Sequence, residues 1–134
     1  MSGQGEGSRP MKTYARTLNL KDDPAIIQRY IEHHRAAWPE VERGLLGIGI
    51  ERMRIWLLGR RLFMLMETTD AFDPERDWAR YLDSAPRIRQ WQDLMASLQE
   101  PVPEAKAGEW WADMELVFAL CADSATRPRS GSSL

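Results

Sequence analysis

Two adjacent apolar runs, residues 50–58 and 62–68, joined through Leu58-Gly59-Arg60-Arg61, constrain the fold of this chain more than any other feature. A glycine in a tight connection between two such runs is the pattern of a β-hairpin. Neither strand alternates cleanly between apolar and polar. Met53, Ile55 and Leu57 stand opposite Arg54 and Trp56, while Leu62, Met64 and Met66 stand opposite Phe63 and Leu65. A sheet that is apolar on both faces needs cover on both. One small set of helices covers a single face, so the pattern predicts a second subunit over the other.

The remaining segments build around that hairpin. Residues 13–20 read as a strand, with Tyr14, Arg16, Leu18 and Leu20 on one face and Ala15 and Thr17 on the other. Asp23-Pro24 supplies a cap followed by proline at the first helical position, and the helix is expected to run from 24 to about 35. Pro39 either kinks this helix or opens a second one through Val41 and Leu45, ended by Gly44, Gly47 and Gly49. Residues 73–82 and 86–99 read as two helical pieces, the second carrying Ile88, Trp91, Met95 and Leu98 at spacings of three and four. Residues 99–108 form a loop, and 110–121 a closing strand. The order β-α-β-β-α-β is the ferredoxin-like α+β arrangement. Paired sheet to sheet, two such units form a dimeric α+β barrel. The folded unit is expected over 11–122, with a disordered extension at 1–10 and a frayed tail at 123–134.

Composition narrows the function classes. A formal charge of -2 and a pI near 5.7 give no electrostatic footprint for nucleic acid or an anionic membrane. The single cysteine, Cys121, rules out an internal disulfide and fits a reducing cytoplasm. No apolar run approaches the ~20 residues of a membrane span, and the N-terminal stretch lacks a signal-peptide core. There is no glycine-rich phosphate loop, CxxC pair or GxSxG elbow. Six tryptophans in 134 residues are many; sugar sites and interfaces both use such rings.

The chemistry gathers in residues 30–40, Tyr-Ile-Glu-His-His-Arg-Ala-Ala-Trp-Pro-Glu, which hold both histidines of the chain. Tyr30, His34 and Trp38 recur every fourth residue, so on a helix they share one face. One reading is a stripe of core aromatics around a satisfied histidine; the other is a site for a neutral, hydroxyl-rich ligand. Adjacent histidines on a helix diverge by about 100°, so His33 and His34 do not share a metal, and no metal site is expected. What remains is an acid–base set: His34, Tyr30, and a carboxylate from Glu40 or Glu67. Trp38, Trp56, Trp91, Trp110 and Trp111 offer flat stacking faces, and each singly also reads as core.

Tyr30-x3-His34-x3-Trp38-Pro39-Glu40 resembles the signature of the L-rhamnose mutarotase family, small sugar anomerases of the dimeric α+β barrel type. The similarity continues at Ile55-Trp56-Leu57, Leu62-Phe63 through Glu67, Arg89-Gln90-Trp91 with Met95, and Glu115-x-Val117-Phe118. The resemblance implies a cofactor-free isomerase that interconverts the α and β anomers of a 6-deoxy-hexose. It makes His34 the main proton-transfer residue and Tyr30 its helper or a hydroxyl anchor. Trp38, Trp56, Glu67, Trp91 and Gln92 are then the candidate sugar-binding residues. A tryptophan pair contacts the sugar in that family; here Trp91 is followed by Gln92, which alters the contact and leans toward L-fucose over L-rhamnose. The implied partners are a monosaccharide and a second copy of the chain. Two other readings compete: a cofactor-free monooxygenase of the same barrel shape, and a non-catalytic binding barrel.

Overall fold

β1 (Met11–Leu20) is the strand on which the sheet is assembled, in a computed structural model that describes residues 11–122. The expected disordered ends, 1–10 and 123–134, lie outside the described residues. β1 pairs antiparallel with β3 (Arg61–Thr69) from Met11↔Thr69 to Asn19↔Arg61, and β3 pairs with β2 (Ile50–Leu58) in the expected hairpin. Gly59 takes the turn at φ 62°, a conformation that costs glycine little. On its other side β1 receives two short strands, β4 (Gln99–Glu100) and β5 (Ala112–Asp113). The order β2-β3-β1-β4 is the ferredoxin-like one.

Four helices cover one face of this sheet: α1 (Pro24–Arg35), α2 (Pro39–Gly47), α3 (Pro74–Leu82) and α4 (Pro86–Leu98). Their starts follow from local chemistry. The Asp23 carboxylate accepts the Ala25 N–H at 2.9 Å, and that of Asp73 accepts the Arg76 N–H at 3.0 Å, each just before a proline. Asp77, buried in α3, accepts from the Asp73 N–H and from both Arg76 and Arg80. The Arg76 guanidinium, chiefly, holds its carboxyl well below the usual range. Among the described residues, no helix is long and apolar enough to cross a membrane.

The core lies between helices and sheet, where Leu18, Leu20, Leu62 and Met66 meet Tyr30, Ile88, Trp91, Met95 and Leu98. The opposite sheet face is apolar too. Trp56 stacks on Phe63 there at 5.4 Å, beside half-buried Leu65.

Two expectations need correction. The closing strand is not continuous over 110–121: only Ala112–Asp113 pairs with β1, and the last backbone bond runs from Met114 N–H to the Ala15 carbonyl at 2.8 Å. Beyond it Leu116, Val117, Phe118 and Leu120 are exposed and outside any strand. The alternation there is strand-like, but among the described residues the segment has no ladder partner. The loop expected at 99–108 instead begins as β4, held on β1 at Asn19↔Glu100 and Leu20↔Gln99.

Candidate active site

A cavity of about 1170 Å³ lies between the helices and the helix-facing side of the sheet. Most of its wall is aliphatic and aromatic, including Leu45, Met53, Ile55 and Trp78. Polar groups reach it from several elements: Tyr30 and His34 from α1, Gln92 from α4, Arg16 from β1 and Gln99 from β4, while Glu42, Glu51, Arg52 and Glu75 also stand along its wall. An apolar pocket with a few placed polar groups is the usual form of a small-molecule site.

Tyr30 and His34 sit one turn apart on α1, and their rings pack at 4.1 Å between centroids. The edge of Trp91 meets His34 at 5.3 Å, so the imidazole is held between two aromatic rings. His34 Nδ1 lies 2.9 Å from the backbone carbonyl of Tyr30. A carbonyl only accepts, so Nδ1 carries the hydrogen and neutral His34 keeps its lone pair on Nε2. Desolvation by burial lowers the His34 pKa, partly offset by that hydrogen bond, and the neighbouring His33 lowers it further. Tyr30 is 4% exposed, and burial holds its phenol well above the ordinary range. The pair therefore presents a neutral base beside a phenol that keeps its proton.

Other sequence-derived candidates fall elsewhere. Trp38 does not continue the α1 face, because α1 stops at Arg35 and Trp38 takes an extended ψ of 133° before Pro39. Its ring backs Trp91 at 5.1 Å, lies under Arg87, and is not among the cavity walls. Trp56 borders the cavity, but its ring, on a residue 47% exposed, stacks on Phe63 across the sheet's other face. Glu67 lies on that other face as well, 3.5 Å from Arg52, and Glu40 begins α2 away from the cavity wall. Trp91, Gln92, Trp110 and Trp111 all line the cavity. Among the described residues no three of His, Cys, Asp and Glu converge in a possible metal cluster.

Two wall residues were missed as site residues. Arg16 shares the core-facing parity of Leu18 and Leu20, and a cation at such a position is a signal in itself; its Nε donates to Asp113 at 2.8 Å. Gln99 carries no such signal, since nothing in its neighbourhood in sequence distinguishes it from a loop residue.

A family model described as L-rhamnose mutarotase matches residues 13–120, nearly all of the described chain. The chain belongs to the L-rhamnose mutarotase family. This family consists of carbohydrate isomerases, and membership favours that chemistry over the monooxygenase and non-catalytic readings. Two relatives are similar along most of their length. A UPF0734 protein of Dictyostelium discoideum is 40% identical over 112 residues, covering 81% of this chain and 90% of that protein. An L-fucose mutarotase of Xanthomonas campestris is 38% identical over 112 residues, covering 82% and 89%. In fold the chain resembles an L-rhamnose mutarotase from Formosa agariphila, with a TM-score of 0.59 at 21% identity over 81% of this chain and 98% of that one.

The environment of His34 sets a pH expectation. Were His34 the base, catalysis would require its free Nε2 lone pair, and a lowered pKa keeps the imidazole neutral as pH falls below the ordinary value of about 6.5. The acid limb of the anomerisation rate should lie below that pH. The same sign governs stability: the favourable contribution of neutral His34 is full above its unfolded pKa and is lost as pH falls through the folded one. A rate profile whose acid limb lies at or above pH 6.5 removes His34 as the titrating base.

Proposed function

We propose that this chain is a mutarotase for 6-deoxy-L-hexoses, acting by general acid–base ring opening without a cofactor, and that L-fucose is preferred to L-rhamnose. The observation that carries the reading is the His34 Nε2 lone pair beside the protonated Tyr30 phenol, on one helical face in a cavity walled by Trp91.

In this mechanism His34 Nε2 takes the proton of the anomeric hydroxyl. The C1–O5 bond breaks as the C1=O1 double bond forms, and the Tyr30 hydroxyl hydrogen-bonds the ring oxygen as negative charge grows on it. Both oxygens are borne by the same carbon, so the imidazolium reaches the ring oxygen and returns its proton there. The aldehyde turns about C1–C2, and the reverse sequence closes the ring with the opposite configuration. One imidazole with a pKa near the working pH serves both directions. No proton is gained or lost over the cycle.

The sugar preference draws on two supports. Gln92 stands where the family has a second tryptophan, and it lines the cavity, so a donor and an acceptor replace a flat ring. L-fucose carries its axial hydroxyl at C4 and L-rhamnose at C2; a site that satisfies one leaves polar groups unpaired with the other. The similar protein from Xanthomonas campestris is an L-fucose mutarotase. We also infer a homodimer, sheet face to sheet face, in the cytoplasm.

Exchange between α and β anomers, measured by NMR on L-fucose and L-rhamnose with and without protein, tests the function. Acceleration of both, faster for L-fucose, is expected, and no acceleration of either overturns the mutarotase reading. Gln92→Trp should lower the fucose-to-rhamnose ratio; an unchanged ratio removes Gln92 from the specificity argument.

A further inference from the structure

We propose that Arg16 anchors the sugar: its two terminal nitrogens donate to the adjacent hydroxyls on C3 and C4, across the ring from the bond that opens. This deepens the mutarotase reading and rests on it.

The guanidinium is held from two sides. Arg16 stands opposite Asp113 where β1 meets β5, and its Nε donates to Asp113 Oδ1 at 2.8 Å. Asp113 is itself fixed: its N–H donates to the Glu109 carboxylate at 3.2 Å, and the next N–H, of Met114, to the Ala15 carbonyl at 2.8 Å. Arg16 Cζ lies 5.1 Å from the centroid of the Tyr14 ring, which supports the face of the fork. Among the described residues neither terminal nitrogen has an acceptor. The side chain is 20% exposed and lines the cavity, so open solvent serves these donors poorly. Buried donors without acceptors are costly, and a guanidinium presents them as a rigid pair.

Charge and position decide what the pair receives. Asp113 already offsets the Arg16 charge, so neutral hydroxyl oxygens fit better than a second anion. Three residues join β1 to α1, so the helix turns back over the strand it leaves, and Tyr30 joins Leu18 and Leu20 in the core. At about 1.5 Å per residue α1 rises ~15 Å from Pro24 to His34. That matches the ~13 Å from Leu20 back to Arg16 along the strand. His34 and Arg16 thus stand at matching depth on facing walls. With His34 and Tyr30 at the anomeric and ring oxygens, the C3–C4 bond lies on the far side of the ring, toward β1. The hydroxyls there are gauche in both L-fucose and L-rhamnose, within the span of one guanidinium. The open-chain aldehyde keeps them, so the anchor holds the sugar while C1–C2 turns and binds ground and transition states alike.

Uniform binding of this kind separates KM from kcat. Arg16→Met keeps the stem and loses the fork, so KM for both sugars should rise on the order of tenfold while the saturated exchange rate changes little. Arg16→Lys keeps the charge without the fork and should restore little of the affinity. In calorimetric titration wild type should bind 3-deoxy-L-fucose more weakly than L-fucose, and Arg16→Met should bind the two alike. An unchanged KM in Arg16→Met, wild-type affinity in Arg16→Lys, or a loss confined to the saturated rate overturns the proposal. A readout in the unaltered chain remains decisive where a variant fails to fold. The Arg16 terminal N–H resonances should shift on adding L-fucose and shift less with 3-deoxy-L-fucose; unmoved resonances overturn the anchor. If wild type accelerates neither sugar, the mutarotase reading fails, while these resonances still decide whether Arg16 holds the sugar.

Discussion

His34→Ala is expected to remove nearly all anomer exchange, while His33→Ala keeps most of it. The two residues are neighbours in sequence and of the same type, so the contrast tests geometry alone. His34 faces the cavity, packs on Tyr30 at 4.1 Å, and has its tautomer fixed by a backbone carbonyl. His33 touches the edge of Trp91 at 6.2 Å and is not among the cavity walls. A positioned acid–base group contributes roughly 10²–10⁴-fold, which is the loss expected for His34→Ala. The uncatalysed reaction in water sets the floor. Tyr30→Phe should fall between, because it keeps a ring that is 4% exposed and deletes only the hydroxyl. Saturation-transfer NMR on folded variants measures all three, and equal losses for the two histidines would falsify the assignment.

The second large effect concerns assembly. Wild type should run as a dimer at micromolar concentration in light scattering, and Leu116→Asp combined with Phe118→Asp should run as a monomer. Leu116, Val117, Phe118 and Leu120 are 57–86% exposed, in a segment with strand alternation and, among the described residues, no ladder. Together with Trp56, Phe63 and Leu65 they leave both the terminal segment and one sheet face without cover. Exposed apolar surface on that scale marks an interface. Each large side chain contributes roughly 1.5–3 kcal/mol when fully buried, so losing two and burying two charges weakens association by several powers of ten. A monodisperse wild-type monomer overturns the dimer. A double variant that dimerises as wild type does would move the interface away from this segment.

The parts of the fold that were legible in the sequence share a physical trait: their causes are local. Asp23-Pro24 and Asp73-Pro74 carry both the cap and the proline that start a helix, and Gly59 permits the turn it occupies. The last strand was not legible in the same way, because alternation names a strand without naming its partner. Trp38 was misplaced on the α1 face although the needed signal lies in the next residue, since proline disfavours helical geometry before it. Glu67 was a similar case. It shares parity with Phe63 and Leu65, and therefore the sheet face away from the helices. Gln99 had no local cause at all; its place on the cavity wall arises from pairing with Leu20 and from the Trp110 indole, one distant in sequence and one across a loop. The acid–base pair was legible because a four-residue spacing on a helix is itself a statement about space.

The division of the final strand separates two duties within this fold. β4 and β5 both lie on β1, and between them residues 101–111 leave the sheet and return carrying Trp110 and Trp111 to the cavity wall. Both ends are moored: Arg60 grips Glu100 at 2.7 Å and Arg16 grips Asp113 at 2.8 Å. Lengthening a loop between fixed ends costs little chain entropy, about 0.6 kcal/mol per doubling. A change in the length of this excursion is thus expected to leave sheet and helices as they are, provided buried Val102 keeps its place. What such a change would alter is the cavity wall that Trp110 and Trp111 form.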